Sequence, residues 1–146
     1  MSMTGLDVFD RTIQSTNEWL KDLMLEMNWE DKRKAYAAIR ICLHALRDRL
    51  IPDEAVHLGA QLPMLIRGSY YEGWKPSATP KKVRDKESFV SFIKESFSDT
   101  VLFEEDAETT IRAVFKLLYF RISPGEIDDI IKTFPKDLRP LWPEKR

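Results

Sequence analysis

Few residues in this chain carry reactive chemistry. His44 and His57 are the only histidines and Cys42 is the only cysteine. His44 and Asp48 stand one helical turn apart, so imidazole and carboxylate can touch, and such an acid can orient a general base or a metal ligand. Cys42 lies two residues from His44, on another helical face, so the two do not form a nucleophile–base pair. It falls instead on an apolar stripe with Ile39 and Leu46, where a thiol behaves as a small hydrophobe. The role expected for His44 and Asp48 is therefore structural. His57 follows Asp53 and Glu54, acids favoured by the dipole of a helix start. Neither a Glu-x-x-His pair nor a His-Glu-x-x-His spacing is read here as bringing three ligands together, so neither histidine is expected to join a metal site, and no cofactor is expected. A lone cysteine excludes an internal disulfide and a cysteine-built zinc site. There is no glycine-rich phosphate loop and no Gly-x-Ser-x-Gly elbow.

Recognition chemistry is better represented. Tyr70-Tyr71-Glu72-Gly73-Trp74, with Arg67 just before it, has the residue types that dominate binding hot spots. The competing expectation is structural: Arg67 and Arg139 tie down helix ends, and aromatics such as Trp74 and Trp142 plug the space between packed helices. Gly68 and Gly73 are expected to serve turns. Residues 75–86 carry Lys75, Lys81, Lys82, Arg84 and Lys86 against Asp85, a net of +4. Residues 95–108 carry six acids and no base, a net of −6. No aromatic lies among the five bases and no helix-turn-helix spacing surrounds them, so nucleic acid is not the expected partner. A solvated linker meeting the acidic stretch of its own chain or of a second chain fits better.

These residues need a scaffold, and composition bounds it. The chain has 146 residues, enough for one domain, with 43% hydrophobic and 32% charged residues and a net charge of −1. That balance excludes a strongly basic nucleic-acid binder, and sixteen aromatics against five glycines argue against disorder. Acids throughout the first thirty residues leave no apolar signal core, and no apolar run approaches a membrane span. An intracellular, cytoplasmic protein is expected.

Shifted by 72, residues 39–67 lie on residues 111–139 with eight identities: Ile39/Ile111, Arg40/Arg112, Leu46/Leu118, Arg49/Arg121, Pro52/Pro124, Glu54/Glu126, Pro63/Pro135 and Arg67/Arg139. The apolar pattern repeats as well. Ala35, Ile39, Cys42, Leu43, Leu46 and Leu50 fall on Ala107, Ile111, Val114, Phe115, Leu118 and Ile122, one helical face in each copy. Ala55, Leu58 and Leu62 fall on Ile127, Ile130 and Phe134, predicting a second, shorter helix. Ser123-Pro124-Gly125-Glu126 reads as a capping box for the later one. Pro63 and Pro135 end these helices and can open a short terminal helix. A further helix precedes each unit: Leu6, Phe9, Ile13, Leu20, Leu23 and Met27 mark one, ended by Asn28, and Phe89, Ile93 and Phe97 mark the other. Nothing alternates with period two. The prediction is a single all-α domain of about seven helices, with similar units at about 6–72 and 87–142 joined by a linker at 73–86.

The run from His57 to Gly68, continued by Tyr70-Tyr71-Glu72-Gly73-Trp74, resembles the DUF2267 family, as do Ala45–Leu50 and Arg121–Ile127. The resemblance covers roughly Leu6 to Trp142. It implies a small, mainly helical bacterial domain and carries no activity, cofactor or catalytic residue. The leading expectation is a non-enzymatic module that binds a partner protein or a second copy, with Arg67, Tyr70, Tyr71, Trp74, Lys81, Lys82 and Arg84 as its candidate surface. The alternative is a carrier of a small apolar ligand, with a pocket between the units lined by Tyr70, Tyr71, Trp74 and Trp142.

Overall fold

The computed structural model describes residues 2–144 and contains, among them, seven α-helices, two short 3-10 turns and no strand. The helix boundaries follow from the chain's stop and start signals. Helix α1 (Asp7–Met27) ends at Asn28, whose φ of 55° is the left-handed conformation that asparagine tolerates. Asp31 caps α2 (Lys32–Asp48), its carboxylate accepting the Arg33 N–H at 2.9 Å. Helix α3 (Pro52–Ala60) opens on a proline, as does α7 (Pro124–Lys132). Helix α4 (Met64–Tyr71) follows Pro63. Asp85 caps α5 (Lys86–Phe97) and Asp106 caps α6 (Ala107–Arg121), through Ser88 N–H and Thr109 N–H.

Helices α2 and α6 pack on each other at the centre, and both repeated apolar stripes are buried in full. Helix α1 lies against α2 and α6, and α5 lies against the same pair. The short helices α3 and α7 meet each other. Helix α4 covers α2, where a 3-10 turn at Arg139–Leu141 covers α6. Core residues from both halves form one cluster. In the later half it is aromatic: Trp142 stacks on Phe115 with centroids 4.2 Å apart and meets Phe134 edge-on at 5.6 Å.

Three expectations need correction. The start of α1 does not bury Leu6, its N-cap, or Phe9, in its first turn, which are 52% and 44% exposed. The face that enters the core is Thr12, Trp19, Leu20 and Leu23, because α1 meets its partners only from its second turn onward. The terminal helix expected in the second unit shrinks to the 3-10 turn at Arg139–Leu141. Gly68 serves no turn; it lies inside α4, while Gly73, at φ 72°, does turn the chain. The glycine with a packing reason is Gly59, where a Cβ would lie 2.7 Å from Tyr71 Cζ.

Leu46 and Leu118 occupy matching places on the two central helices, 0% and 1% exposed. Truncating either to alanine removes packed methyls and leaves a void. Leu46→Ala and Leu118→Ala are each expected to lower unfolding free energy by about 2–5 kcal/mol in chemical denaturation.

Candidate functional site

The aromatic run after α3 is mostly interior. Tyr70 is fully buried and its hydroxyl donates to the Ala55 carbonyl at 2.6 Å. It therefore offers no outward surface, and Trp142 is likewise in the core. Tyr71 and Trp74 are half-buried and lie against each other, 5.5 Å between centroids. Arg67 is spent within the chain, donating to the carbonyls of Gly59 at 2.8 Å and Leu62 at 2.8 Å. Arg139 does likewise for Phe134 at 2.9 Å, so both arginines close the C-terminal ends of α3 and α7. Lys81, Lys82 and Arg84 are exposed. The Lys81 backbone N–H is fixed to the Asp48 carbonyl at 2.7 Å, which pins the linker to the end of α2.

His44 and Asp48 do not pair with each other. The His44 Nε2–H donates to the Ser69 carbonyl at 2.6 Å, and since a carbonyl only accepts, the bond fixes the tautomer. Burial holds its pKa below the usual imidazole value, against the pull of that bond. Asp48 takes the buried guanidinium of Arg47 at 2.8 Å, and Arg47 also donates to the carbonyls of Tyr70 and Glu72. Burial pushes the Cys42 thiol up to about 12, which leaves it without thiolate character at neutral pH.

A different group comes together where α3 meets α7. One ligand atom each from Glu54, His57 and Glu126 lies within 4.8 Å of the other two. Spacing along the sequence does not predict this, because the third residue arrives from the other half of the chain. A local signal was nevertheless present. Glu54 and His57 form a Glu-x-x-His step on one face of α3, and Glu126 sits at the position matching Glu54.

What frees Glu126 is an exchange of partners at the start of α7. In a capping box its carboxylate would reach back to the Ser123 N–H. Here Gln61, from the first half, accepts that N–H at 2.8 Å and donates its own amide to the Ser123 hydroxyl at 2.9 Å. Ser123 still accepts the Glu126 N–H, at 3.4 Å. The Glu126 side chain is left turned into the α3–α7 contact, 8% exposed. Oε1 of Glu126 and Oε1 of Glu54 are both buried without a hydrogen-bond partner among the described residues. Burial, then the charge of Glu54, a hydrogen bond shared with the Glu54 carboxylate, and last the charge of Asp129, push the Glu126 carboxyl up to about 7.

The sign of the resulting pH effect is fixed. The folded chain holds the Glu126 proton more tightly than the unfolded chain, where the value is near 4.5. The stabilisation is therefore complete below about 4.5 and is lost as pH rises through about 7. The groups around it are Glu54 and His57 on α3, Asp129 on its own helix and Tyr70 on α4. With chelator present, wild type is expected to lose on the order of 1–3 kcal/mol between pH 5 and 8 that Glu126→Gln keeps. Denaturant melts of the two proteins across that range give the difference directly.

No helix among the described residues is long and apolar enough to cross a membrane. A search of curated proteins finds no match to the chain. The model of one family, described as an uncharacterized conserved protein, DUF2267, matches residues 16–141, from the middle of α1 to the last 3-10 turn. That span covers both central helices, both short helices and the Glu54–His57–Glu126 group, and the chain belongs to the DUF2267 family.

Proposed function

We propose that the chain is a cytoplasmic, non-enzymatic interaction module whose partner is a second copy of itself, seated on α5. The reading rests on one observation: α5 is flanked by opposite charges and has an apolar centre. Ahead of it stand Lys75, Lys81, Lys82 and Arg84, and at and beyond its C-terminal end stand Glu95, Asp99 and Glu104. None of these seven has an ion-pair partner among the described residues. The other acids of the stretch are engaged within the chain. Glu105 pairs with Lys34 at 2.7 Å, Glu108 with Arg112 and Lys86 at 2.9 and 3.3 Å, and Asp106 caps α6.

Phe92, at the middle of α5, is 47% exposed, with Lys81 Nζ 6.0 Å from its ring centroid. Two α5 helices set antiparallel about a two-fold axis near Phe92 bring the basic flank of each copy onto the acidic flank of the other. That pairing satisfies both charge runs with one surface, whereas a parallel arrangement sets like charges against each other. Complementary charge of this kind steers encounter and fixes register, and Phe92 supplies the apolar contact. Arg67 and Tyr70 are occupied inside the fold and take no part in this surface, to which Lys81, Lys82 and Arg84 belong.

Exposed charges are screened beyond about 10 Å at 0.1 M salt. Sedimentation at low salt is expected to show a reversible dimer that weakens at least tenfold in dissociation constant between 50 and 500 mM salt. Reversing Lys81, Lys82 and Arg84 to glutamate is expected to abolish it without lowering the melting temperature. A wild type that stays monomeric at every salt concentration rejects self-association, and a salt-independent dimer rejects the α5 pairing.

A further inference from the structure

We propose that Glu54, His57 and Glu126 together hold one divalent transition-metal ion of the Zn²⁺ type, which staples α3 to α7. The proposal goes beyond self-association and does not depend on it, since the group lies at the α3–α7 contact and not on α5.

Acids near helix starts are common and usually face water; Asp53 and Asp128 do so here. Glu54 and Glu126 differ from them. Each turns one carboxylate oxygen into a buried place where, among the described residues, no donor meets it while both acids are ionised, and the two oxygens belong to helices packed against each other. Among the described residues no lysine or arginine pairs with either acid. A buried acceptor without a donor costs free energy, and two facing carboxylates add repulsion. A cation between them removes both costs. The third group decides what kind of cation. An imidazole nitrogen beside two carboxylate oxygens suits zinc, manganese or iron; magnesium and calcium prefer oxygen alone.

The dimensions permit it. An ion with bonds of about 2.1 Å in tetrahedral geometry holds its ligand atoms about 3.4 Å apart. The three atoms now lie within 4.8 Å of one another, so about an ångström of closure is needed. His57 is exposed and Glu54 half-buried, so both can supply that movement while the buried Glu126 stays in place. Exposure of His57 also gives an ion its entry path and leaves positions open to water. The Gln61–Ser123 bonds keep the arrangement poised, because they spare the Glu126 carboxylate from capping duty.

The test is titration of untagged, chelator-treated protein with Zn²⁺, with Mg²⁺ as the comparison, followed by calorimetry and thermal melting. One Zn²⁺ per chain is expected, with a melting temperature several degrees higher on saturation and no such rise with Mg²⁺. Glu126→Gln and His57→Gln are each expected to weaken Zn²⁺ binding at least tenfold and to cancel the thermal gain. His57→Gln changes an exposed side chain, so it tests the site even if Glu126→Gln perturbs the fold. Zn²⁺ bound equally well by both variants, or no saturable binding by wild type at 1 mM Zn²⁺, overturns the proposal. Sedimentation of His57→Gln without metal separates the two readings, since dimerisation through α5 does not require this site.

Discussion

The architecture depends on covering two helices that are apolar on more than one face. Helix α2 buries Ala35, Ala38, Ile39, Ile41, Cys42, Leu43, Ala45 and Leu46, and α6 buries a comparable set from Ala107 to Tyr119. A narrow stripe could be satisfied by one partner; residues this widely spread around an axis need neighbours on several sides. Each central helix can cover only one side of the other. Helices α1 and α5 therefore each lie against both, and α4 and the last 3-10 turn close what remains. The meeting of α3 with α7 follows, because each short helix leaves the end of a central helix by a tight proline turn.

Arginines do much of the joining where that packing leaves backbone carbonyls without donors. A helix ends with four such carbonyls. Arg67 and Arg139 reach back to those of α3 and α7, and the buried Arg47 takes the carbonyls of Tyr70 and Glu72 at the end of α4. A planar guanidinium presents five donors in a fixed fork, against the three of a lysine ammonium. Arg49 uses its other property, lying 4.0 Å over the Phe134 ring while its Nε and Nη1 find no acceptor among the described residues.

Much of this was legible in the sequence because it is local. The stripes through Leu46 and Leu118 repeat with the helical period, and proline at the start of α3 and of α7 marks where those helices begin. What could not be read depends on which surfaces meet. Leu6 and Phe9 have the right spacing for a core face, yet α1 has no partner at its first turns. Tyr70 looks like a recognition residue by type, but its hydroxyl finds Ala55 on α3 and the ring goes inward. The same holds at the candidate site. Glu126 satisfies every local criterion for a capping box, and only the approach of Gln61 from the other half assigns the cap elsewhere. The Glu54–His57 step stands in the sequence but means little there, because its third member comes from the other half.

The two-way bond between Gln61 and Ser123 ties the halves in a further sense. Each residue supplies the other with a donor and an acceptor across 62 positions of chain. A leucine at 61, harmless to α3 itself, would take the acceptor from the Ser123 N–H and hand that N–H to the Glu126 carboxylate. Changing residue 61 therefore resets the cap of a helix that begins in the other half of the chain.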